Sequence, residues 1–123
     1  MTLLALRAYS LLLSFERAFV HGEFLKIRRQ VQHHKVRASR GTYSADEACT
    51  AINLACTLYF KEVQCLQRSA ALVCLLRDLG IDATLVIGAQ RLPFKAHAWT
   101  EVDGQVVNDS RSSVELYGVL DRL

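Results

Sequence analysis

A single proline and six glycines punctuate 123 residues, and charge of neither sign dominates, the formal balance being +3. So few breakers exclude a loop-rich scaffold and a long disordered linker. The modest charge does not by itself call for nucleic acid, which would need a focused basic face. No Cys-x-x-Cys pair occurs among the cysteines at 49, 56, 65 and 74, and their gaps match no common zinc pattern. Reduced thiols in a cytoplasmic protein are the simplest reading. An uninterrupted apolar run is missing too. "MTLLALRAYSLLLSF" is broken by Arg7 and followed by Glu16, short of the ~20 residues that cross a bilayer. It also lacks a basic leading region and a small-residue cleavage site. No membrane partner is expected.

What is present is apolar: about half of the chain, 51%. That suffices for one domain over residues 1–123, burying roughly two-thirds of its unfolded surface. Residues 1–43 read as a helical N-terminal segment and 44–123 as the core. Leu4, Ala8, Leu11, Leu12, Phe15 and Phe19 form one stripe of a helix over 3–20, with Gly22 as its break. Residues 23–38 continue with helical character but turn basic through Lys26, Arg28, Arg29, Lys35 and Arg37, with Arg40 beyond. That run suits either an acidic partner or a solvated face. His33 and His34 are adjacent, so they point to different sides and share no metal.

"SADE" at 44–47 is a capping box opening a helix to about residue 60, with Ala48, Cys49, Ile52, Ala55, Cys56 and Tyr59 inward. A loop over 61–64 leads to "CLQRSAALVCLLRDLG", a helix that begins at Cys65 and stops at Gly80. Beyond it the period changes to two over 81–90, 96–102 and 105–109, with Asp103-Gly104 as a hairpin turn. Helices followed by an antiparallel sheet make an α+β fold. Leu116, Tyr117, Val119, Leu120 and Leu123 are expected to form a short closing helix.

The chemistry converges on three residues. Cys65 opens a helix, where unpaired amides and the positive dipole end favour thiolate over thiol. Its own N–H is the expected oxyanion donor, and Arg68 adds positive potential if it faces the site. His97 lies on a strand whose Trp99 and Glu101 share its face. A lone strand histidine is usually structural, but a nucleophile before it and a carboxylate after it suggest a base between them. Asp109 reaches His97 only through register. A two-residue turn would set Ala98 opposite Asp109, facing the carboxylate away. A three-residue loop with Gly104 left-handed, or a bulge of equal effect, would set His97 opposite Asp109. The three-residue loop is expected. If Asp109 faces away, Asn108 becomes the candidate orienter.

Cys65-Leu66-Gln67-Arg68-Ser69-Ala70, the segment from Leu75 to Ala83, and "AHAWTEVDGQVVND" resemble the transglutaminase-like leader peptidases of lasso-peptide biosynthesis over residues 45–110. The resemblance implies a papain- or transglutaminase-like cysteine protease, with Cys65, His97 and Asp109 as catalytic residues and no cofactor or metal. It implies a precursor leader peptide as substrate, captured by a separate leader-recognition protein through strand addition. An ATP-dependent lactam cyclase then acts on the released core. Too few residues precede Ser44 for a fused recognition domain, so a stand-alone protease form is expected. Substrates of that family tend to carry threonine just before the last leader residue, so a small substrate-binding pocket is expected near Trp99 and Phe94.

Two alternatives stay open. The same three residues could pass the acyl group to an amine instead of water, because the acceptor depends on pocket shape and water access. A non-enzymatic adaptor binding peptide or nucleic acid through 26–40 would make Cys65, His97 and Asp109 coincidental. A metal site on Cys65 and His97 lacks further ligands.

Overall fold

The apolar stripe of the first twenty residues becomes α1 (Leu3–Val20), capped by the Thr2 hydroxyl, which accepts from the Ala5 amide at 3.1 Å. The structure, a computed structural model, describes residues 2–38, 41–91, 93–110 and 114–123. Arg40 lies outside the described residues. Gly22 ends the α1 region at φ +64°, a left-handed value that glycine adopts without steric cost. The basic segment forms α2 (Phe24–His33), which buries Ile27 and Val31. It stops short of the expected residue 38. The Arg37 amide instead donates to the Arg77 carbonyl at 2.8 Å, a tertiary bond that local propensity cannot signal.

Ser44 and Glu47 form the reciprocal capping box that starts α3 (Ala45–Leu58). Ala48, Ile52, Ala55 and Tyr59 are buried, while Cys49 and Cys56 are half-buried against the core. α4 (Cys65–Asp78) is buried along nearly its whole length, Ala70 to Leu76 without interruption. A helix buried on all sides must be central. α1 and α3 cover it on one side and the sheet on the other. Leu12, Phe15, Ile52, Leu72, Leu75 and Leu76 are fully buried there, each contributing roughly 1.5–3 kcal/mol by burial.

The sheet comprises β1 (Thr84–Gln90), β2 (Lys95–Val102), β3 (Gln105–Val107) and β4 (Gly118–Arg122), in the order β3-β2-β1-β4 and antiparallel throughout. The α+β architecture is as expected, but the closing element is a strand. β4 pairs with the outer edge of β1, and a bulge between Ile87 and Gly88 leaves Leu120 without a counterpart. Its apolar residues fit a helix or an edge strand equally, and the free edge of β1 decides. The Arg77 guanidinium, buried within the fold, donates to the carbonyls of Val31, His34, Ala83 and Leu123. It thereby ties α2, α4 and the chain end together.

Candidate active site

Cys65 is the first residue of α4, half-exposed where the helix emerges from the core. Gln64 before it is extended and offers no side-chain cap, unlike Thr2 and Ser44 at the starts of α1 and α3. The first-turn amides of α4 are therefore left to solvent or a ligand. The other three thiols sit in different surroundings. Burial pushes Cys49 and Cys56 up, and Cys74 up to about 12. Arg68 is half-exposed and its charge partly offsets the rise at Cys56.

One turn into α4, the Ser69 hydroxyl donates to the Ala98 carbonyl at 3.1 Å. The Thr100 hydroxyl donates back to the Ser69 carbonyl at 3.2 Å. Both side chains are buried. These two bonds set the helix bearing Cys65 against the strand bearing His97. A buried polar group is costly unless paired, so the pairing defines one relative position of α4 and β2.

His97 Nε2 meets Asp109 Oδ2 at 2.6 Å, with the two side chains 21% and 16% exposed. An ionised carboxylate only accepts, so Nε2 carries the proton and Nδ1 is the free basic nitrogen. Asp109 Oδ1 in turn accepts from the Ser110 amide at 2.7 Å.

The route by which Asp109 arrives differs from the expected one. The hairpin pairs Val102 with Gln105, Glu101 with Val106 and Thr100 with Val107. It therefore has a two-residue turn, not three. Asp103 at φ +53° and Gly104 at φ +73° supply the two left-handed residues of such a turn. Continued straight, that register would face Asp109 away from His97. The strand instead ends at Val107, and Asn108 takes φ +60°. This single left-handed residue interrupts the alternation and returns Asp109 to the histidine. The Asn108 carboxamide oxygen accepts from Asn53 Nδ2 at 3.0 Å, anchoring the kink to α3. Asn108 thus acts on the backbone and does not itself bond the imidazole.

Cys65 and His97 line one small cavity of about 80 Å³, with Leu66, Ile87, Ala96 and Ala98. It is mostly apolar, and the three small or branched residues beside the histidine set its size. Trp99 and Phe94 are not among its lining residues. Trp99 is 3% exposed and packs behind the imidazole, whereas Phe94 is 76% exposed on the turn before β2. The cavity lies on the helix side of His97, between β2 and the start of α4. Sequence reasoning missed Ser69, Thr100, Asn53 and Tyr117 as contributors to the site. The first two carry no signal beyond being polar residues inside apolar runs.

The basic run is only partly engaged within the fold, Arg29, Lys35 and Arg37 being exposed. Lys26 pairs with Glu23, Arg28 with Asp121, and His34 with Asp78, while His33 points to solvent. Among the described residues no group of three His, Cys, Asp or Glu could hold a metal ion, and no helix is long and apolar enough to cross a membrane.

A family model described as the transglutaminase-like superfamily matches residues 5–122. The Microcin J25-processing protein McjB of Escherichia coli is 52% identical over 46 residues, covering 37% of this chain and 22% of that protein. The chain thus spans about a fifth of the length of the curated relative it matches. No solved structure matches significantly.

Proposed function

The chain belongs to the transglutaminase-like superfamily, and from that premise we propose that it is a cysteine peptidase removing the leader from a ribosomally made lasso-peptide precursor. The observation that carries this reading is the 2.6 Å bond from His97 to Asp109, made beside a cavity that Cys65 and His97 share. Likeness to a protein named for processing microcin J25 supports the substrate class.

In this reading the Cys65 sulfur attacks the carbonyl of the last leader residue after His97 Nδ1 takes the thiol proton. The oxyanion is held by first-turn amides of α4, that of Cys65 first among them. His97 returns the proton to the departing core amine, leaving a thioester on Cys65. It then deprotonates the water that hydrolyses this thioester. Asp109 keeps the imidazole in the right tautomer and stabilises its charged form. Residues 1–123 act as one domain, since α1 fills the same core that supports α4. A separate recognition protein delivers the leader, and an ATP-dependent cyclase receives the core.

The test is incubation with precursor peptide and the cognate recognition protein, followed by mass spectrometry. Free leader is expected, and only with the recognition protein present. A leader–amine adduct in place of free leader would make the protein an acyltransferase. Equal cleavage without the partner would refute the dependence.

A further inference from the structure

We propose that Tyr117 is a positioning residue for His97. Together with Trp99 it forms an aromatic wall that fixes the plane in which the imidazole meets Asp109. This inference rests on the peptidase reading above.

Three rings meet at this point. The Tyr117 centroid lies 5.4 Å from that of His97, the Trp99 centroid 6.0 Å from His97, and the two larger rings 6.3 Å from each other. Trp99 is itself held. Its Nε1–H donates to Glu101 Oε2 at 2.9 Å, and Glu101 Oε1 accepts from Arg122 on β4 at 2.9 Å. Val86, Trp99 and Val114, with Val106 and Tyr117 packed on them, form a cluster apart from the main core. This small cluster therefore does little for the main core, and it sits where the histidine is.

The space for the wall comes from Gly88, which stands opposite His97 in the β1–β2 register. A Cβ there would fall 2.8 and 2.9 Å from two ring carbons of Trp99 and 3.0 Å from Tyr117 Cβ. Glycine is needed for room, since no unusual φ is involved. An imidazole tied by one hydrogen bond can still swing about its Cβ–Cγ bond. Contacts from two rings, inclined to the imidazole by 29° and 33°, restrict that freedom, and a misplacement of about 1 Å in such a group costs about 100-fold in rate.

Two variants of the whole chain test this: Tyr117→Leu, which keeps apolar volume without the ring, and Gly88→Ala, which crowds the wall without removing any side chain. Each is assayed for leader release with precursor and recognition protein, and by proton NMR for the His97 Nε2–H resonance. The expected result is turnover slowed roughly tenfold or more, in kcat and not in KM, with loss or broadening of that resonance. Tyr117→Phe restores both. Folded variants with wild-type turnover and an unchanged resonance would overturn the proposal. Gly88→Ala decides alone if Tyr117→Leu fails to fold. His97→Ala is the separate control: activity surviving there refutes the peptidase reading, while the resonance in the wall variants still reports on the wall.

Discussion

Replacing Asn108 tests the feature that brings Asp109 to the histidine. Asn108 holds φ +60°, which asparagine tolerates and a β-branched residue strongly resists. Asn108→Val adds roughly 1–2 kcal/mol to the kinked backbone while favouring the straight strand that faces Asp109 away. It also loses the 3.0 Å bond from Asn53, worth roughly 0.5–1.5 kcal/mol. Asn108→Gly loses the same bond but accepts the positive φ freely. The ratio of the two variants therefore isolates the backbone term, and roughly 1–2 kcal/mol corresponds to a factor of about 5–30. The assay is kcat/KM for leader release, with circular dichroism to verify folding. Valine is expected to fall about 5- to 30-fold below glycine. Equal activity in two folded variants would refute the idea that the left-handed residue delivers Asp109.

Other consequences are open to simpler measurements. Ser69→Ala removes the buried bond to the Ala98 carbonyl, so urea unfolding should show a loss of roughly 1–3 kcal/mol, with activity falling as α4 loosens from β2. Lys61 beside Glu16 holds its carboxyl below the usual range, aided by Tyr59 and Gln67. Because the folded value is depressed, this stabilisation is present above the ordinary value of 4.5 and lost as pH falls through the folded one. Stability of Glu16→Gln should accordingly change less than wild type on acidification below that value, as measured by thermal melts across pH. Burial pushes Cys74 up to about 12, so iodoacetamide at neutral pH should label Cys65 and spare Cys74 until guanidinium unfolds the chain. Peptide mapping that found Cys74 modified first would contradict the assigned environments.

The parts legible in the sequence are those governed by local rules. The stripe from Leu4 to Phe15 and the Ser44–Glu47 box each act within a few residues and predict their elements closely, whereas Asp103-Gly104 places the hairpin but not its loop length, two residues standing where three were expected. The pairing of His97 with Asp109 is legible as a requirement but not as a route. An asparagine in a short polar run signals left-handed tolerance only weakly, and what fixes Asn108 there is Asn53, 55 residues earlier. β4 escapes a sequence reading because its apolar pattern is ambiguous and only the open edge of β1 selects a strand. Tyr117 gives no signal as a site residue, since its meeting with His97 depends on that same strand. Trp99 shares the face of His97, as alternation requires, yet burial makes it a support behind the ring and not part of the cavity lining.

Attack by the Cys65 sulfur is the step on which the peptidase activity depends, and a single substitution puts it to the test. Cys65→Ala, incubated with precursor and recognition protein under conditions in which the wild type acts, is followed by mass spectrometry for free leader. An intact precursor and a folded, inactive protein are expected. Leader release by Cys65→Ala at the wild-type rate would contradict attack by that sulfur.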